Sequence, residues 1–136
     1  MTKHDIQHPP YDFVKRFELK GYRCTIAQHK QMGHLCGYVQ LPMDFPDLTG
    51  IVAQGYEHPS IASLDVHGGV TFCNERDEHS GIWIGFDCAH CGDLVPSMAA
   101  SGLVLPGAEF RTPDFVRSEL AHLVTQLEER RHAVSP

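Results

Sequence analysis

The sequence predicts an α+β fold, an antiparallel β-sheet with a C-terminal α-helix packed on one face. Two observations predict it. Short segments in which apolar and polar residues alternate cluster between Gly21 and Asp87, and one long segment with helical apolar spacing follows Thr112. Across 136 residues this organisation fits a single domain, with residues 1–10 as a loose leader ending in Pro9-Pro10 and residues 129–136 as a frayed tail.

Taken in order, Asp12 to Leu19 reads as a short helix. From Gly21 the period becomes two: Tyr22, Cys24 and Ile26 alternate with Arg23, Thr25 and Ala27, a strand with one buried face. His29 to Gly33 forms a turn and Leu35 to Leu41 a second strand, a spacing that suits a hairpin. Leu41 to Pro59 is a long connection punctuated by Pro and Gly, a place where binding residues often sit. Ala62, Leu64 and Val66 alternate with Ser63, Asp65 and His67, so a third strand is expected there, interrupted at Gly68-Gly69 and resumed through Cys73. Gly81 to Asp87 reads as its partner, and pairing the two about Asp77 sets His67 opposite Asp87.

Leu94 to Arg111 is a small, apolar, Gly/Pro-broken excursion. Thr112 then serves as N-cap, Pro113 fits the first helical position, and Asp114 suits the positive end of the helix dipole. Val116, Leu120, Leu123, Val124 and Leu127 form one core-facing stripe.

Composition narrows the function classes. Net charge is −6, and the 11 Lys and Arg residues make no stripe, so nucleic acid is not an expected partner. Neither a signal peptide nor an apolar run near the roughly 18 residues of a membrane span is evident. A cytoplasmic setting is therefore expected, with the five cysteines reduced rather than bridged. Cys24, Cys36 and Cys73 lie in strand patterns and read as small buried hydrophobes. Signatures of the common nucleotide-binding and hydrolase folds are absent.

The chemistry-bearing residues concentrate in His67-Gly68-Gly69 and in Asp87-Cys88-Ala89-His90-Cys91-Gly92-Asp93. Carboxylate, thiolate and imidazole together suit a borderline ion such as zinc. The candidate ligands are His67, Asp87, Cys88, His90 and Asp93, and an open position on such an ion would activate water. Cys88-x-x-Cys91 has zinc-knuckle spacing but no second pair to complete a structural site. Without a metal, His67 and Asp87 could form an oriented general base with Cys88 as nucleophile. Trp83, Gly68 and Gly69 are candidate ligand contacts. A purely structural reading stands beside these, in which His67 caps the Gly-Gly turn and the aspartates satisfy loop N–H groups.

Four motifs carry a family resemblance. They are Gly21-Tyr22-Arg23-Cys24; Gly33-His34-Leu35-Cys36-Gly37-Tyr38-Val39; His67-Gly68-Gly69-Val70-Thr71-Phe72; and the run from Trp83 to Asp93. In these the chain resembles a family of small proteins encoded by bacteriophages, prophages and their hosts. The resemblance covers about residues 21–93 and implies a bacterial host cytosol. It keeps His67, Asp87, His90 and Asp93 together and leaves Cys91 at a free position. Two functions fit the residues. One is a binding protein that takes a host protein or a small-molecule ligand, as an anti-defence inhibitor or a nucleotide sponge. The other is a small metal-dependent hydrolase of a phosphorylated or nucleotide-like molecule.

Overall fold

A computed structural model describes residues 11–76 and 79–133. The leader, Asp77 and the last three residues lie outside the described residues. Five antiparallel strands form one sheet: β1 (Tyr11–Leu19), β2 (Tyr22–His29), β3 (Leu35–Gln40), β4 (Phe72–Arg76) and β5 (His79–Asp87). Their spatial order is β1-β2-β3-β5-β4. The helices are α1 (Leu48–Gln54), α2 (Pro59–Ala62), α3 (Pro96–Ala100) and α4 (Pro113–Ala133), with a 3₁₀ turn at Gly55–Glu57. The fold is α+β, with the C-terminal helix against the strands. No described helix is long and apolar enough to cross a membrane.

Two segments differ from the sequence reading. Asp12 to Leu19 belongs to an edge strand, not a helix. Lys20 and Gly21 both take positive φ, 49° and 84°, closing a two-residue hairpin in which Leu19 faces Tyr22. Pairing along β2 outweighs the weak helical preference of so short a segment.

The expected strand from Ala62 is also absent: α2 ends at Ala62, and β4 begins only at Phe72. Leu64 and Val66 are nonetheless buried while Asp65 is exposed. The alternation arises because this stretch runs along α4 rather than along another strand. Gln126 donates to the Asp65 carbonyl at 2.7 Å and accepts from the Asp65 amide at 2.8 Å. One helix turn pair further up, Glu119 accepts from the His67 amide at 2.7 Å. A side-chain amide thus replaces a ladder partner, and period two survives without a sheet.

The connection after β3 is less irregular than its Pro and Gly content suggests. Asp47 caps α1 through the Gly50 amide, and His58 caps α2 through the Ser60 amide. His58 Nε2 lies 2.8 Å from Asp47 Oδ2, tying the two caps together. Phe45, Ile51 and Ile61 are buried beneath them.

Helix α4 begins as its sequence requires, with Thr112 Oγ1 accepting from the Phe115 amide at 3.3 Å. Val116, Leu120, Leu123, Val124 and Leu127 are all buried. They pack on Cys24, Ile26, Leu35, Val39, Ile84 and Phe86 of the sheet. The helix continues to Ala133, so residues 129–133 are helical rather than frayed. Gly37 sits where the layers come closest: a Cβ there would lie 2.6 Å from the Phe86 ring and 2.9 Å from Val116. Only hydrogen fits that gap.

The opposite face of the sheet is buried as well. Ala27, Cys36, Tyr38 and Trp83 form a second cluster, with Phe72 packed against it. Phe72 meets the Tyr38 ring edge-on at 5.3 Å, and the Arg76 guanidinium lies 3.8 Å from the same ring. Both faces of β2 are therefore covered, and Cys24 to Ala27 form a run of four buried residues.

Leu123 tests the layer contact. Truncation of this fully buried side chain by Leu123→Ala is expected to destabilise the protein by about 2–5 kcal/mol in urea unfolding. Val52→Ala, on the exposed side of α1, should stay within about 0.5 kcal/mol of the parent. Equal effects from both would contradict the packing.

Candidate functional site

The site lies beyond the end of β5, where three chain segments meet. The first is the turn after Val66. The Gly69 amide donates to the Val66 carbonyl at 2.9 Å, and Gly68 has φ of 70°. A Cβ at Gly68 would fall on the ring of His90, so this position takes glycine for space as well as for conformation. The turn presents His67, whose side chain is 17% exposed.

The second segment follows Asp87. Its carboxylate accepts from the Ala89 amide at 3.1 Å, an Asx-turn, and from Thr71 Oγ1 at 3.0 Å. His90 Nε2 lies 3.1 Å from Asp87 Oδ1, close enough for electrostatic attraction. It is nevertheless buried without a hydrogen-bond partner, because the angles do not serve one. Asp93 closes the loop: its amide donates to the His90 carbonyl at 2.9 Å, and the His90 amide donates to Asp93 Oδ2 at 3.0 Å.

The third segment leads into α4. Leu94 and Glu109 pair backbone to backbone at 2.8 Å, which brings Arg111 beside Asp93. Arg111 Nε donates to Asp93 Oδ1 at 2.7 Å, and its guanidinium lies 4.9 Å from the Phe115 ring centroid. The same ring meets His67 edge-on at 5.1 Å.

The Asp93 side chain is 0% exposed, and all the segments converge on it. His67 Nε2 approaches its two oxygens at 2.9 and 2.7 Å. Burial alone would raise this carboxyl. The bonds from Arg111, His67 and the His90 amide outweigh burial and hold it below the ordinary aspartate range. The dyad fixes Nε2 of His67 as the nitrogen turned inward, so Nδ1 is the nitrogen turned away from the carboxylate.

The expected residues do meet, but with partners exchanged. His67 was placed opposite Asp87; it pairs instead with Asp93, and Asp87 lies beside His90. The two imidazole rings are 6.0 Å apart at 75°. β4 stops at Phe72, which faces Gly85, so the ladder never carries His67 to the level of Asp87.

Two of the proposed residues do not take part. Cys88 is 1% exposed and points into the core under α4. Burial, then the nearby Asp93, Cys36 and Asp87, pushes its thiol up to about 12, which disfavours it as a nucleophile near neutral pH. Cys91 is exposed, so Cys88-x-x-Cys91 is not a facing dithiol. Trp83 is 0% exposed on the far face of the sheet, where it lines a recess with Arg16, Arg23 and Thr25 rather than standing beside His67 and Asp93. Phe115 is the aromatic side chain that flanks the site.

Sequence reasoning missed Arg111, Phe115 and Glu119, and also His34. His34 is buried, and its ring stacks on His29 with centroids 4.9 Å apart. Burial and then His29 hold its imidazole below the ordinary value, although Asp87 and Asp93 pull the other way. Gly33-His34-Leu35 had been quoted in a motif, but no charge or spacing signal separated this histidine from the others.

The zinc expectation meets an obstacle in the donor set. Both Asp93 oxygens are committed to protein donors, and the Arg111 cation stands where a dication would be repelled. Among the described residues, no group of three or more His, Cys, Asp or Glu side chains is arranged to hold a metal ion. Comparison with protein-family models, curated proteins and solved structures returns no match.

Asp93 gives the site a pH signature. Because its folded-state pKa is depressed, its stabilisation is complete above the unfolded value of about 3.9 and is lost as pH falls through the folded one. Asp93→Asn is expected to cost about 2–4 kcal/mol at pH 7. The gap to the parent should shrink as both are titrated below about pH 4. A gap that stays constant down to the acid transition would contradict the role assigned to the carboxylate.

Proposed function

We propose that the chain is a binding protein whose ligand is a phosphorylated or nucleotide-like small molecule seated against His67, His90 and Arg111. The observation that carries this reading is the saturation of Asp93. A fully buried carboxylate with His67, Arg111 and the His90 amide on it holds two donor-rich side chains rigidly at the surface. Preorganised donors of that kind favour recognition, since little ordering is left for the binding event. Arg111 donates through Nε to Asp93 and through Nη1 to the exposed Glu109 at 3.3 Å, which leaves Nη2 for a ligand, and Phe115 offers an aromatic ring beside it. Cys88 is buried and held as the thiol, which argues against its acting as a covalent nucleophile. The resemblance to phage and prophage proteins adds a setting, the host cytosol, in which capturing a signalling nucleotide or blocking a host protein would act against defence.

One observation favours the second reading, a metal-dependent hydrolase. His67 Nε2 is hydrogen-bonded to Asp93, the backing that orients histidine ligands in metal sites, and His90 Nε2 lies 3.1 Å from Asp87. Zinc would then rest on His67 and His90 alone, with solvent or substrate completing the shell.

Calorimetric titration with nucleoside mono- and diphosphates and cyclic dinucleotides separates the two. Binding near one ligand per chain is expected, with the ligand recovered chemically unchanged. His90→Ala should weaken it at least about tenfold, the loss of one charge-assisted hydrogen bond. No binding across the panel defeats the sponge. About one transition metal per chain in protein never exposed to chelator, lost in His90→Ala, together with ligand turnover, establishes the hydrolase instead.

A further inference from the structure

We propose that the surface formed by Met98, Leu103, Val104, Leu105 and Phe110 is where a second copy of this chain docks. Large apolar side chains are scattered singly over most protein surfaces, but here they are concentrated. Leu103, Val104 and Leu105 are consecutive and 56%, 53% and 57% exposed, with Met98 and Phe110 each at 38%. Contiguous exposure of this kind marks an interaction site in a stable protein. The segment is held in place, not adrift: the Leu103 amide donates to the Met98 carbonyl at 2.9 Å and the Ala108 amide to the Leu105 carbonyl at 3.1 Å.

Charge selects the partner. Residues 94–108 contain no charged side chain, in a chain whose net charge is −6. A strongly charged partner finds no complement here. Two like-charged copies, by contrast, meet with least repulsion where each is uncharged.

Shape points the same way. Met98, Leu103, Val104, Leu105 and Ala108, together with the segment from Asp93 to Val95, line a cavity of about 90 Å³. That is smaller than the roughly 150 Å³ that holds a benzene ring, so it takes one aliphatic side chain rather than a nucleotide. The same patch therefore carries both exposed apolar side chains and a recess for one of them. A two-fold axis can set an exposed side chain of each copy at the recess of the other, the self-complementarity an isologous dimer requires.

The area agrees. At roughly 200 Å² for a complete large side chain, the exposed fractions amount to about 500 Å² per copy. Pairing two patches buries about 1,000 Å², the lower limit for a specific interface. An interface at that limit is expected to be reversible rather than permanent.

Sedimentation equilibrium of the full chain from about 2 to 300 μM tests this, a range suited to a reversible association. The weight-average mass should climb from one chain toward two, and more readily at higher salt, where residual repulsion is screened. Val104→Asp should stay at the mass of one chain throughout while keeping the parent's thermal midpoint at about 2 μM, the dilute end of the range. Val52→Asp, equally exposed on α1 at 59%, should dimerise like the parent. A parent that remains at one chain mass throughout the range overturns the proposal, whether or not it then binds neutral phosphatidylcholine vesicles. Dimerisation undiminished in Val104→Asp overturns it too.

Discussion

The arrangement depends on one buried charge. Asp93 has no solvent to hold it, and an isolated carboxylate in such a place would be driven to protonate. It remains an anion because a guanidinium, an imidazole and a backbone amide reach it from three separate parts of the chain. Removing any one would leave the others facing a partner they no longer balance. The requirement also runs outward. Arg111 must stand just before α4, so the first turn of that helix, with Phe115, is drawn to the same place. His67 must stand on a turn fastened to the middle of α4 by Glu119. The carboxylate thus sets where the terminal helix starts and where the loop beside it crosses.

What could be read beforehand follows from how local each signal is. The α4 stripe was legible because one side of that helix meets the sheet and the other meets water, and its Thr-Pro-Asp start is written in adjacent residues. β5 and the hairpin of β2 and β3 were legible for the same reason. Asp87, His90 and Asp93 lie within seven positions, so any tight turn had to bring them near one another. Arg111, Phe115 and Glu119 come from far along the chain, and only the packing of α4 places them. At β1, a short segment with mixed preference was decided by a neighbour in space. At residues 64–66 the period was genuine but its cause was a helix. Trp83 and Phe115 exchange roles because aromatic character alone does not reveal which side of a sheet is covered.

Covering both sides of the sheet has a bearing on where ligands can go. The helix side is filled by the α4 stripe, and the other side is closed around Trp83 and Tyr38 except for a recess of about 230 Å³ lined by Arg16, Arg23, Thr25 and Trp83. The histidine and aspartate chemistry sits instead at the strand ends and in the loops beyond them. There backbone groups not used by the ladder are available to shape turns, and Gly68 lets the His67 and His90 rings approach each other.

The strand order carries a consequence for assembly. β1, β2 and β3 follow one another as a meander, while β4 and β5 form a separate hairpin, and the ladder joins the two groups only between β3 and β5. Each group can organise from contacts between near neighbours in the chain. The seam between them cannot, since closing it must first overcome the entropy of a long intervening loop. Closing that seam is therefore expected to follow the organisation of each group on its own.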